Sequence, residues 1–209
     1  MTYLPFLLNL QKKQIIIIGG GKVAARRLQT LLPFRQNITL ISPEVTEAVQ
    51  RLIKQYDIEW VAAHCQRHHL EAADMIIIAT NDQDTNQYIL DHAPSTAWIN
   101  AAHHAEKGNL TFPVTLTKGR LQIAISTGGS SPILAKKLRQ ELEAQLPTTY
   151  EDYIDFLYQA RLAVKAHIHS SDERQQLLQE IVDHPIYSLP AQQDWLKEVT
   201  QRGYGNSDR

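Results

Sequence analysis

Gly19, Gly20 and Gly21 are followed by Lys22, Val23 and Ala24, so the chain reads G-x-G-x-x-A. In this spacing Gly19 permits a tight turn, Gly21 lets a pyrophosphate approach the backbone, and Ala24 lets a helix pack close to a strand. The free N–H groups and the positive dipole end of that helix would then face the phosphates. The bland alternative is a plain glycine turn, and the neighbouring elements have to decide.

Two further stretches fit the same ligand. Ser42, Pro43 and Glu44 stand where a carboxylate would meet a ribose. Glu44 is a little late for that role and could instead open the next helix, leaving Ser42 or a backbone group to serve. Thr80 and Asn81, in "ATND", close another apolar run, where loops line a ligand crevice. For Asn81 and Asp82 the alternative is a turn with a helix cap. Arg26 and Arg27 fall inside the helix rather than after the second strand, so the reading favours NAD over NADP.

From Lys107 through Gln140 the chain has no Asp or Glu, yet it holds Lys107, Lys118, Arg120, Lys136, Lys137 and Arg139. That local bias points to an anionic partner. With Phe112 its only aromatic residue, the stretch gives no support for nucleic acid. A solvated basic helix face is the alternative. His64–His69, "HCQRHH", matches no standard metal spacing. Cys65 reads as an inert thiol.

The elements that must position these residues follow from periodicity. Ile15–Ile18 is a continuous β-branched run, as in a strand buried on both faces of a parallel sheet. Lys22–Leu32 reads as a helix ended by Pro33. Strands over Ile38–Ile41, Ile58–Ala62, Met75–Thr80 and Ala97–Asn100 alternate with helices over Glu44–Tyr56 and Asp84–His92. This predicts a Rossmann-type parallel sheet with right-handed crossovers. After Phe112, Val114–Leu116 and Leu121–Ser126 read as a hairpin around Lys118-Gly119. "STGGSSP" follows, with Ser131 as N-cap and Pro132 opening a helix to about Leu146. The rest reads as helices broken near Ser170, Pro185 and Pro190, with a frayed end from Gly203. The fold class is therefore α/β: a Rossmann-type sheet, a small α+β region, then a helical C-terminal domain.

Totals set outer bounds. The 209 residues carry a formal net charge of −1 and one cysteine, which excludes an intrachain disulfide and a global pull toward nucleic acid or membrane. No apolar run approaches the roughly 18 residues of a membrane span. A cytoplasmic, soluble chain is expected.

Taken together, "LPFLLNL" (Leu4–Leu10), "GGGKVAARR", "ISPE", "ATND", Ile99-Asn100, "FPV" (Phe112–Val114) and "ISTGGSSPILAKKLRQELEAQLP" (Ile125–Pro147) resemble precorrin-2 dehydrogenase, the oxidase/chelatase portion of siroheme synthase. The resemblance covers about residues 1–147. It implies an NAD-binding domain over 1–113, a dimerisation and substrate region over 114–147, and a helical domain over 148–209. It also implies a homodimer, with oxidation of precorrin-2 to sirohydrochlorin by NAD. Arg120, Lys136, Lys137 and Arg139 would bind the carboxylates of that tetrapyrrole.

In bifunctional members an aspartate follows the motif that begins at Asn100, in a pattern like N-V-V-D. Here the letters are Asn100-Ala101-Ala102-His103-His104. His103 therefore takes the aspartate's place and can serve as a base near neutral pH. Ser126 matches an active-site serine of the family, with a backbone-capping role as its alternative. The catalytic set expected is Asn100, His103 and Ser126, with no metal site. Two other readings stay open: a bifunctional dehydrogenase and ferrochelatase, and a non-catalytic NAD-sensing module.

Overall fold

The computed structural model describes residues 3–5, 7–34 and 37–205, the side chains as far as 202. Phe6, in the first stretch of the resemblance, and residues 206–209 lie outside the described residues. The chain divides into two compact units, Met1–Phe112 and Pro113–Arg209.

The first unit is built on β1 (Gln14–Ile18), β2 (Asn37–Ile41), β3 (Glu59–Val61), β4 (Met75–Ile78) and β5 (Trp98–Ala101). They form one five-stranded sheet in the order β3-β2-β1-β4-β5, every pairing parallel. The isoleucine run is central, and successive side chains of a strand point to opposite faces. Ile15 and Ile17 enter one layer with Ala24, Leu28 and Leu31 of α1 (Lys22–Leu31) and Val49 of α2 (Glu47–Tyr56). Ile16 and Ile18 enter the other with Leu70 of α3 (Arg67–Leu70) and Ile89 of α4 (Gln83–His92). All four isoleucines are at most 4% exposed. Burying each stabilises the fold by about 1.5–3 kcal/mol. A polar residue anywhere in this run would therefore face a core layer.

The N-terminal edge of the sheet is clamped by Asp74. Its carboxylate accepts from Lys13 Nζ at 2.8 Å and from the Gln14 amide at 2.9 Å. Its backbone carbonyl accepts from the Trp98 amide. One residue thus fixes the starts of β1, β4 and β5.

In the second unit β6 (Val114–Lys118) and β7 (Leu121–Ile125) form an antiparallel hairpin. Against it packs α5 (Pro132–Gln145). Then α6 (Tyr150–His167) packs with α7 (Ser171–Asp183) and α8 (Leu189–Gly205) around Tyr153, Phe156, Ala160, Val164 and Ile181.

Several boundaries differ from the sequence expectation for physical reasons. The helix expected from Glu44 begins at Glu47. Ser42 Oγ donates to the Glu44 carbonyl, and Thr46 donates its amide and its hydroxyl to the Gly20 carbonyl, holding the segment open. The hairpin's first strand runs on to Lys118, leaving the turn to Gly119 and Arg120. Pro190 does not break a helix: it is the second residue of α8, where no amide donor is needed. Gly203–Gly205 are helical rather than frayed.

The hydrogen bonds of Asp74, led by Lys13, hold its carboxyl below the usual carboxylate range. A carboxyl depressed in the fold contributes stability above its unfolded value and loses it as pH falls through the folded value. Asp74→Asn should therefore be less stable than the wild type at neutral pH. The gap should stay constant down to about pH 4 and close below it. Urea unfolding at a series of pH values checks this.

Candidate active site

The loop after β1 is shaped by its glycines. Gly19 has φ +113°, in the region that favours glycine, and a Cβ there would sit 2.5 Å from the Ala79 carbonyl. The turn after β1 therefore lies directly against the end of β4. On the other side, the Gly19 amide donates to the Ile41 carbonyl at the end of β2. A Cβ on Gly20 would collide with the Glu44 carbonyl. So Gly19, Gly21, Lys22, Val23, Ser42, Pro43, Glu44 and Thr80, all expected at a cofactor, come together at the C-terminal edge of one sheet. Helices leave this edge toward opposite layers after β1 and after β4, and the gap between them is where open α/β sheets take ligands.

Gly21 caps α1 and differs from its neighbours. Its φ of −91° suits any residue, and a Cβ there would meet nothing within 4 Å. No side chain caps α1, and its first turn has no acidic residue. Its leading N–H groups are thus open to an anion, with room beside them, as a pyrophosphate requires. Ala24 is fully buried against Ile15 and Ile17, as the spacing requires. These features fit a dinucleotide.

The loop after β4 gives Asp82 its capping role. Asp82 caps α4, accepting from the Thr85 amide at 2.6 Å, and that bond holds its carboxyl below the usual range. Thr80 Oγ1 accepts from the Asp82 amide, and Asn81 is exposed. Ser42 is buried, and its carbonyl accepts from Trp60 Nε1. Pro43 and Glu44 are exposed.

A cavity of about 160 Å³ opens at the C-terminal ends of β4 and β5. Its apolar walls include Ile78, Leu90, Ala101 and Ala102, and its polar ones Gln83, Asn86, His103, His104 and Lys107. His103 is exposed, and His104 Nδ1 lies 3.4 Å from Glu106. Asn100 is nearly buried, donates Nδ2 to the Leu110 carbonyl, and so ties β5 to the segment leading out of the unit. Sequence reasoning missed Asn86 and Gln83. Both stand on α4, in no motif, and only the docking of α4 brings them to this cavity.

The remaining expected residues lie in the second unit. Ser126 Oγ accepts from the Gly128 amide, so the serine caps its own loop. Gly128 and Gly129 both take positive φ, and a Cβ on either would meet nothing within 4 Å. Ser131 caps α5 through the Leu134 amide, as expected. Arg120 donates to Asp155 at 3.0 Å and stacks on Tyr158, joining the hairpin turn to α6. On α5, Lys137 pairs with Glu141 and Arg139 with Glu143, while Lys136 is exposed and makes no ion pair among the described residues. Such i,i+4 pairs contribute only about 0.3–0.5 kcal/mol, so a ligand carboxylate can replace them at little cost.

The histidine-rich segment has a structural role: His69 Nδ1 accepts from the Gln66 amide and closes the cap of α3. Burial pushes the Cys65 thiol up to about 11, which keeps it protonated near neutrality.

A parallel doubly wound sheet with an open glycine loop at its ligand edge defines a dinucleotide-binding α/β protein. The family model described as "Putative NAD(P)-binding" matches residues 6–114, so the cofactor is a nicotinamide dinucleotide. Two further models, "Sirohaem biosynthesis protein central" and "SirC C-terminal domain", match residues 118–145 and 150–194. The chain is 29% identical to a precorrin-2 dehydrogenase of Priestia megaterium over 92% of its length and 96% of that protein. It is likewise 29% identical to a siroheme synthase of Neisseria meningitidis serogroup C, over 98% of its own length but 44% of that protein. It thus spans less than half of that longer relative. Among solved structures, "SirC, precorrin-2 dehydrogenase" matches with a TM-score of 0.81 and 28% identity, covering 95% of this chain and all of that one. The chain belongs to the precorrin-2 dehydrogenase family.

Gly21→Asp sets the fold and the ligand apart. Aspartate fits the open position and would cap α1, so thermal stability should stay equal or rise, by up to about 1 kcal/mol. The same carboxylate would occupy the N–H groups that receive the pyrophosphate, and NAD titration should show binding lost. Retained binding would show that the phosphates go elsewhere.

Proposed function

We propose that this chain oxidises precorrin-2 to sirohydrochlorin with NAD as hydride acceptor. The observation that carries the reading is the end-to-end match to a precorrin-2 dehydrogenase, with the glycine loop open at Gly21. The bound nicotinamide supplies the hydride acceptor. The chain's residues do the rest. Gly19, Gly21, Lys22 and Val23 hold the pyrophosphate end of the cofactor. Ser42, Pro43 and Glu44 flank the adenosine ribose, with Thr80 and Asn81 nearer the nicotinamide. The exposed carboxylate of Glu44 suits a ribose hydroxyl, and residues 42–46 include no cation for a 2′-phosphate, which favours NAD over NADP.

His103, at the cavity beside the C-terminal ends of β4 and β5, accepts the proton that leaves the macrocycle as the hydride departs. Asn100 supports that strand end. The "STGGSSP" loop with Ser126, and Arg120, Lys136, Lys137 and Arg139, meet the substrate's carboxylates. Arg120 must exchange Asp155 to do so, and Lys136 is the readiest cation. In this reading residues 1–113 bind the cofactor, 114–147 serve substrate binding and dimerisation, and 148–209 form the helical domain. The homodimer is supported by Ile133, Leu134 and Leu138, which expose an apolar face of α5. In this reading the reaction takes place in the cytoplasm. Among the described residues no helix is long and apolar enough to cross a membrane.

The test is one anaerobic assay in two stages. Precorrin-2 and NAD should give NADH together with the sirohydrochlorin spectrum. Ferrous or cobaltous ion added next should be inserted no faster than without protein, because His103 stands where bifunctional relatives carry aspartate. Accelerated insertion would establish the bifunctional reading, and absence of NADH would favour an NAD-sensing module. His103→Asn should lower kcat about 10²-fold or more if this side chain is the base. Sedimentation should give a species of two chains rather than one of 23.8 kDa.

A further inference from the structure

The helical part of the second unit carries a charged groove between α6 and α7. It is lined by Arg161, Val164 and Lys165 of α6 and by Arg174, Gln175 and Leu178 of α7, and its volume is about 330 Å³. Half of these side chains are cations and none is an acid. Arg161, Lys165 and Arg174 make no ion pair among the described residues.

The spacing along both helices withholds partners from them. A helical cation finds its acid three or four residues away, as Lys137 and Arg139 do on α5. No Asp or Glu stands three or four residues from Arg161, Lys165 or Arg174. Arg161 and Lys165 are instead a like-charge pair at i,i+4, which disfavours the helix. Arg174 lies near the start of α7, just after its N-cap Ser170, where the helix dipole disfavours a cation. Lys165, in the last turn of α6, has the dipole of its own helix in its favour. An anion in the groove would relieve both unfavourable placements.

Between the charges the groove is apolar. Leu178 is half-buried and packs on the buried cluster of Val164, Leu177 and Val199. The aliphatic stems of the cations extend that surface. An inorganic anion gains nothing from such a floor. An organic anion with more than one carboxylate meets both the floor and the rim.

We propose that the groove between α6 and α7 is a binding site for a small organic polycarboxylate, with its carboxylates at Arg161, Lys165 and Arg174 and its apolar body against Leu178. None of the residues assigned above to precorrin-2 or to NAD takes part, so the site is independent of the dehydrogenase reading.

Calorimetric titration of the full chain at low salt tests this with three probes. Trimesate is a flat ring with three carboxylates, benzoate is the same ring with one, and pyrophosphate is an anion without a ring. Trimesate should bind more tightly than either of the others. In Arg161→Gln/Arg174→Gln its affinity should fall about four- to 25-fold, or about two- to fivefold for each exposed cation removed. Lys136→Gln, on α5, should bind it as the wild type does. Without ligand the double variant should melt at or above the wild-type temperature, because a like-charge pair is gone. A lower melting temperature would show that the cations serve the fold. Unchanged affinity in the double variant, or loss of binding in Lys136→Gln, would place the anion elsewhere. Pyrophosphate binding as tightly as trimesate would leave the apolar floor without a role. Any of these results would overturn the proposal, as would a wild type that binds no trimesate.

Discussion

The backbone at Gly19 lies so close to Ala79 that no side chain fits between them, and the geometry of the ligand edge depends on that approach. It brings the turn after β1 against the end of β4, and the Gly19 amide reaches the last carbonyl of β2. Three strand ends are thereby fixed to one another within a few residues. The four isoleucines before the loop make the approach stable, because each is anchored in a core layer. The stiff run and the loose one serve one purpose: the first holds the strand immobile, and the second lets its end come within contact distance of a neighbour. Gly21, with no such crowding, leaves space for a ligand.

The second unit follows a different logic. Its cations are held weakly, by the exposed Lys137–Glu141 and half-buried Arg139–Glu143 pairs on α5 and by the Asp155–Tyr158 contact of Arg120. Exposed pairs of this kind add little to stability. They keep the charges arranged without committing them, which suits the proposed exchange of internal carboxylates for those of a ligand. The glycine pair Gly128-Gly129 adds a loop with no side chains in the way of an approaching molecule.

How much could be read from the letters depended on how local the cause was. The parallel sheet was legible because strands buried on both faces are continuous apolar runs, and Ser131 and Pro132 announce the start of α5 by local hydrogen bonding and sterics alone. The open segment from Ser42 to Thr46 was not legible, since a carbonyl of Gly20, more than twenty residues away, holds it out of the helix. Arg120 looked like a free cation because Asp155 and Tyr158 belong to a helix much later in the chain. Asn86 carried no motif at all. It lines a cavity that exists only once α4 has docked. The cap formed by His69 was not legible either, since sequence shows the ring nitrogens but not the amide that one of them binds.

The open first turn of α1 is the proposed seat of the cofactor's phosphates. Amide NMR during NAD titration tests it most directly. The Lys22, Val23 and Ala24 amide resonances should shift on binding and their hydrogens should exchange more slowly, with smaller changes at the Asp74 clamp on the opposite edge of the sheet. NAD binding that leaves these three amides unmoved would contradict it.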